Sequence, residues 1–262
     1  MRLLNIGLGM QKIVLVTAGG PHPWIIANAL IERFGPIDVV LEDGEPRSTL
    51  IRRRIRKFGY VNAAGQTAMM VWTVLAKKLL KERIAKLLAE NRLRPEPVAG
   101  QSIVCVPSVN APEFREAVGQ LKPDLLFLVG CRIMKAEMLG AMPCPVVNYH
   151  AGINPKYRGM NGGYWALANG DPENFGGTVH LVDAGVDTGG TLYQVRGKPA
   201  SDDNFMTYAF RQAAMSRDIC IKAAEDALAG RLTTVPSDLP SHLWYHPTIW
   251  RYLWTGLTKG VW

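Results

Sequence analysis

"PVVNYHAGINPKYRG", residues 145–159, runs from a buried strand straight into polar chemistry. The apolar pair Val146-Val147 belongs in a sheet interior, yet an amide, an aromatic ring and an imidazole follow at once, ahead of a loop closed by Arg158-Gly159. A polar group at the end of a core strand must find a partner or cost stability. Asn148 and His150 are two apart, so on a strand their side chains share one face. At the carboxyl end of a parallel sheet that face looks into the crevice where ligands bind.

Further apolar, β-branched runs surround this one: "KIVLV" (12–16), "IDVVLE" (37–42), "SIVCV" (102–106) and "DLLFLV" (124–129). Segments with helical spacing separate them. Continuous apolar strands alternating with helices predict a Rossmann-like α/β fold, a mostly parallel sheet with helices on both faces. "GTVHLV" (177–182) and "TLYQV" (191–195) flank the Gly- and Asp-rich "DAGVDTGG" and are expected to form a strand pair or a crossing at the active-site edge. A long helix is expected from Gly65 to about Asn91, with Leu75, Leu79, Leu80, Ile84, Leu87 and Leu88 on one face and basic residues on the other. A second helix is expected after Asp202 or Asp203 near its N-cap, with Gly230 as its stop. Residues 239–262 are turn-rich and hold four of the seven tryptophans. The expected organisation is a catalytic domain over 11–200, and a C-terminal helix with an aromatic tail over 201–262.

The 262 residues are 48% hydrophobic and 20% charged, enough apolar material for a sizeable core, and the net charge of +8 favours anionic partners. The four cysteines form no CxxC pair and read as buried free thiols of a cytoplasmic protein. No apolar run approaches the ~18 residues that span a bilayer. "MRLLNIGLGMQKIVLV" (1–16) reads as a short leader into the first strand, without a cleavage site.

"TAGGPHPW" (17–24) stands where a dinucleotide fold would place its glycine turn, but it is not GxGxxG and carries two prolines. It reads as a tight strand-to-helix turn that brings His22 toward a ligand. His242 and His246 are four apart, but Pro247 and the turn residues before them weaken a helical pairing, so no metal is expected. "TVHLVDAGVDTGG" (178–190) supplies His180, Asp183 and Asp187 beside a glycine-rich turn. An amide, an imidazole and a carboxylate together suit acyl transfer to an amine without a covalent intermediate. Asn148 can donate an N–H to the developing oxyanion and a protonated His150 a second, each typically worth about 3–4 kcal/mol in a dry site. Asp187, directly or through water, can manage the proton transfers and hold His150 as imidazolium. Asp183 reads first as a turn former.

"NYHAGINPKYRGMNGGYWALANGD" (148–171) followed by "GGTVHLVDAGVDTGGTLYQ" (176–194) resembles the core of the folate-dependent formyltransferases. That family includes glycinamide ribonucleotide transformylase, the methionyl-tRNA formyltransferase catalytic domain and sugar-amine formyltransferases. The resemblance implies Asn148, His150 and Asp187 as catalytic residues, supported by His180. It implies 10-formyltetrahydrofolate as donor, with the pterin near Gly130, Cys131, Ile133 and Met134 and along the loop of Asp183 and Val186. Acceptor contacts are expected from His22, Arg158 and Asn161.

"AGINP", "RGMNGGYW" and "GGPHP" depart from the family's usual runs and argue against glycinamide ribonucleotide as the acceptor. Too little chain follows for the tRNA enzyme's OB-like tail. The expected function is therefore N-formylation of a small primary amine on a phosphorylated or nucleotide-linked carrier, an amino sugar first, with no specific nucleic-acid partner. A 10-formyltetrahydrofolate hydrolase and a non-catalytic folate- or nucleotide-binding module are the alternatives. "RRRIRKF" (52–58) reads as a solvated helix face before it reads as a phosphate site. With the basic residues of 77–86 and the Trp-rich tail it would also suit peripheral membrane contact. Packing of the tail on the domain or across a homodimer interface is the plainer expectation.

Overall fold

The chain's apolar runs fall on the strands of one seven-stranded sheet in a computed structural model that describes residues 11–262. The strands β1 (Ile13–Thr17), β2 (Asp38–Glu42), β3 (Ile103–Val106), β4 (Leu125–Val129) and β5 (Val146–His150) pair in parallel. After the short β6 (Arg158–Gly159), β7 (Gly176–Leu181) and β8 (Thr191–Arg196) complete the sheet as antiparallel strands. The order is β3-β2-β1-β4-β5-β7-β8. Strand order reverses between β1 and β4, and the crevice outside such a reversal is where open α/β sheets bind ligands.

Alternation along each strand serves two cores. Ile13, Leu15, Leu125 and Phe127 point to one side, where α1 (Pro21–Phe34) and α7 (Tyr208–Leu228) cover the sheet. Val14, Val16, Leu126 and Leu128 point to the other, which packs with Phe114 of α4 (Pro112–Leu121). Both faces are buried, so these strands are apolar at every position rather than at every second one.

The helix expected from Gly65 to Asn91 is corrected. Helix α2 spans Arg47–Leu79 with a break at Gly59, and a turn at Leu80 leads into α3 (Lys81–Glu90). Gly59 sits at φ 76°, a conformation glycine adopts cheaply and that interrupts helical geometry. Leu87 is buried with Ile84 and Leu88 against the core, whereas Leu75 and Leu79 are exposed. The cause is rotation: α2 turns Ala63, Gln66, Met69 and Ala76 inward.

Helix α7 (Tyr208–Leu228) begins later than the acidic pair suggested. Thr207 precedes its first turn, and Asp203 instead accepts hydrogen bonds from Thr207 and Arg211 and pairs with Arg83. Gly230, at φ 66°, does follow its end. Cys220 is buried, Cys131 and Cys144 are half-buried and Cys105 on the edge strand β3 is exposed, so the expectation of four buried thiols holds at Cys220 alone. The leader expectation concerns residues 1–10, outside the described residues.

Between β6 and β7 lies α6 (Gly162–Ala168), and the C-terminal segment adds β9 (Leu243–Trp244) and α8 (Ile249–Lys259). The tail returns to the body, with β9 pairing in parallel with β6 and Trp244 stacking on Trp165. Among the described residues no helix is long and apolar enough to cross a membrane.

Candidate active site

Strand β5 delivers Asn148 and His150 to the carboxyl end of the sheet, and its antiparallel partner β7 sets His180 directly opposite Asn148. The loop after β7 then brings Asp187 back over the strand ends. Asn148 Nδ2 lies 3.0 Å from His180 Nε2 and 3.3 Å from Asp187 Oδ1. His150 Nδ1 is 3.5 Å from Asp187 Oδ2, and His180 Nε2 is 3.3 Å from Oδ1. The amide, the carboxylate and both imidazoles thus form one cluster. It borders a crevice of about 810 Å³.

Backbone carbonyls determine which ring nitrogens carry protons, because a carbonyl only accepts. His150 Nε2 donates to the carbonyl of Tyr157 at 2.7 Å, and His180 Nδ1 donates to that of Leu181 at 2.6 Å. His180 Nε2 is then free to accept from Asn148. The expectation that Asn148 and His150 both aim donors into the crevice is therefore altered. His150 Nε2 is satisfied by the chain, and the Asn148 amide nitrogen faces its two neighbours.

Asp187 carries the strongest perturbation. Burial alone pushes its carboxyl up, but the His150 ring and the Gly159 N–H outweigh that and hold it well below the usual carboxylate range. Its backbone is left-handed at φ 50°, a conformation that costs a non-glycine residue about 1–2 kcal/mol. The Gly159 N–H donates to its Oδ2 at 2.9 Å, and Arg158 donates to the neighbouring Val186 carbonyl at 2.8 Å. Gly159, at φ 89°, lies so close to β9 that a methyl group there would overlap the Trp244 carbonyl. Strand β9 thereby holds β6 in place, and β6 supplies the donor that orients Asp187.

The other expected residues divide by position. Gly130, Cys131, Ile133 and Met134 line the crevice, Met134 from within the core and Ile133 largely exposed. Burial, with Glu42 nearby, raises the Cys131 thiol to about 12, so it stays protonated. His22 also lines the crevice, its ring kept neutral by burial and Lys77 with a pKa of about 4. Asn161 lines it with its amide nitrogen buried and unpartnered, a donor without a protein acceptor. Arg158 is absent from the lining and braces the 186–187 turn instead. Asp183 does both, lining the crevice while accepting from the Gly185 N–H and the Thr188 hydroxyl.

Two contributors escaped the sequence. Glu42, buried at the end of β2, accepts the backbone N–H groups of Val109 and Arg132 and pairs with the Arg132 guanidinium. Asn110 donates to the Ile133 carbonyl and accepts the Lys135 N–H. Together they shape the 130–135 loop along the crevice. A carboxylate ending the apolar run "IDVVLE" was the only available signal for Glu42. Asn110 had none.

Residues 64–223 match the family described as formyl transferase. A methionyl-tRNA formyltransferase of Kosmotoga olearia is 34% identical over 143 residues, 54% of this chain and 45% of that protein. The chain thus matches under half the length of that curated relative. The solved glycinamide ribonucleotide transformylase 1 of Symbiobacterium toebii superposes with a TM-score of 0.57 at 19% identity, covering 87% of this chain and 92% of that one. An N-formyltransferase of Helicobacter canadensis, solved with folinic acid and dTDP-3-aminofucose, superposes at 0.55 with 14% identity, covering 89% and 70%. These two likenesses are of fold.

Proposed function

Because the chain belongs to the folate-dependent formyltransferase family, we propose that it moves the formyl group of 10-formyltetrahydrofolate to the primary amine of a small acceptor. One observation carries this: at the strand ends beside the crevice, Asn148 and His150 approach the same carboxylate, Asp187, at 3.3 and 3.5 Å.

In the reaction the amine nitrogen attacks the formyl carbon, the carbonyl oxygen becomes an oxyanion, and the bond from carbon to the folate nitrogen breaks. The net proton leaves the amine and ends on that folate nitrogen. Asn148 gives up its long 3.3 Å contact with Asp187 and donates to the oxyanion. His150 is fixed in orientation by the Tyr157 carbonyl at one ring nitrogen and the Asp187 carboxylate at the other, and its role is to place its ring edge beside the oxyanion. A carboxylate held as low as Asp187 binds protons poorly, so it anchors His150 and orients the water through which the proton passes. His180 fixes the Asn148 amide.

The flat folate ring is assigned to the part of the crevice lined by Gly130, Cys131, Ile133, Met134 and Val186, where exposed backbone groups suit a heterocycle. We assign the amine side to the opening near Asn161 and Arg53, which both line the crevice. Arg53, in the run "RRRIRKF", suits a phosphate of a nucleotide-linked amino sugar, the kind of molecule bound by the Helicobacter canadensis protein. The chemistry is assigned to residues 11–200, with 201–262 bracing the site through β9.

The test is incubation with 10-formyltetrahydrofolate and a panel of amino-sugar nucleotides and methionyl-tRNA, read by mass spectrometry. A formyl mass gain on an amino-sugar nucleotide is expected. Gain only on methionyl-tRNA would overturn the acceptor, and catalytic formate release without any acceptor would replace transfer by hydrolysis.

A further inference from the structure

Helix α8 exposes its apolar side. Trp250, Leu253, Trp254 and Leu257 recur at helical spacing on one face, and Trp254 is 63% and Leu257 76% exposed. The opposite face, with Tyr252, Thr255 and Gly256, is buried. Helix α2 repeats the inversion after its break. Tyr60, Val71, Val74, Leu75 and Leu79 face outward, Leu79 at 78%, while Ala63, Gln66, Met69 and Ala76 are buried. The Trp250 ring lies over Gly65, so closely that a methyl group there would overlap it, which sets the exposed side of α8 beside α2. Scattered exposed apolar residues need no explanation, but a contiguous patch of this kind marks an interaction surface.

Charge selects the partner. Residues 59–76 hold no charged side chain over 18 positions, with Arg56 and Lys57 just before them and Lys77 and Lys78 just after. Segments 47–81 and 239–262, which carry the whole face, contain nine and two basic residues and no acidic one. Among the described residues no carboxylate pairs with Arg52, Arg56, Lys78 or Lys81, although Arg53 pairs with Glu45. A second copy would bring the same positive flanks together, because a two-fold interface sets a patch against itself. An apolar strip rich in Trp and bounded by Lys and Arg instead matches a lipid surface with negative headgroups.

We propose that the joint outer face of α2 and α8 docks on an anionic lipid bilayer, lying in the headgroup layer with Trp254 and Leu257 inserted. The reaction chemistry plays no part in this inference.

The whole chain should be tested against vesicles of phosphatidylcholine with and without phosphatidylglycerol, by co-sedimentation and tryptophan emission. We expect binding and a blue shift with phosphatidylglycerol only, weakening as salt rises. Trp254→Glu with Leu257→Glu should lower partitioning at least about a hundredfold, since two inserted side chains are replaced by charge. Lys78→Glu with Lys81→Glu should lower it at least about tenfold. Both pairs are exposed, so circular dichroism and the melting temperature should match wild type. Absence of binding to either vesicle, equal binding to both, or unchanged binding by folded Trp254→Glu/Leu257→Glu protein would overturn the proposal. A concentration-dependent dimer abolished by those substitutions, without vesicle binding, would assign the face to a second copy instead. Should the apolar pair fail to fold, the lysine pair and the salt series still decide it.

Discussion

The strand-end cluster and the α2–α8 face invert the usual distribution of polarity in opposite ways. At the first, a carboxylate, an amide and two imidazoles are withdrawn from water and satisfy one another. At the second, tryptophans and leucines stand in water while small and polar side chains are buried. A core built only for stability has no need of either. The cluster is costly to assemble unless its charges act on a ligand, and the apolar face is costly to expose unless something covers it. They also differ in rigidity of purpose: the cluster depends on distances of a few ångströms, the face on area and charge.

The sharpest break between them comes from substitution inside the cluster. Asp187→Asn, Asn148→Ala and His150→Ala should each lower formyl-transfer kcat/KM by about 10²–10⁴-fold. Vesicle binding should be unchanged by all three. The double substitution Trp254→Glu/Leu257→Glu should do the reverse, removing vesicle binding while transfer to a soluble acceptor stays within about twofold of wild type, because surface changes away from packed features rarely perturb a fold.

Gly159→Ala probes the link from the tail to the site. A methyl group there meets the β9 backbone at a left-handed φ, so the β6–β9 pairing should loosen and the donor to Asp187 should shift. The expected result is a stability loss of about 1–3 kcal/mol in denaturant unfolding together with a roughly tenfold fall in kcat/KM. Glu42→Gln should cost about 1–3 kcal/mol, because the Arg132 guanidinium loses its charged partner in a buried setting, and should raise KM for the folate more than it lowers kcat.

The last effect touches stability alone and concerns pH. Half-buried His22 and His246 are both held neutral, with pKa values of about 4 against 6.5 for a free ring, each by desolvation first. As pH falls from 6.5 toward 4 the unfolded chain takes up protons that the folded chain refuses, so stability declines across that window. His22→Gln should remove about half of this decline in melting temperature while His246→Gln removes most of the rest.

The alternation of apolar strands and helices made the sheet legible from sequence, and the Asn-x-His spacing located the crevice. Chemistry there depends on residues two apart on one strand, and a period of two survives folding unchanged. The brace from β9 through Gly159 to Asp187 was not legible, because its two links join positions 85 and 28 residues apart, the first through a two-residue strand pair. Glu42 and Asn110 act through backbone N–H and carbonyl groups, which leave no periodic trace. The rotation of α2 was also hidden. Its leucines at 75 and 79 have the spacing of a core-facing stripe, and spacing does not say which side of a helix the body covers.

The central claim is that the strand-end cluster surrounds a formyl carbon. A crystal structure with a bound 10-formylfolate analogue in which carbon replaces nitrogen 10, so that the formyl group cannot leave, tests it most directly. The expected density places the formyl oxygen within hydrogen-bond range of Asn148 Nδ2, with the carbon facing Asp187 and the pterin along residues 130–134. A folate bound with its formyl group remote from Asn148, His150 and Asp187, or no folate in the crevice at saturating concentration, would contradict it.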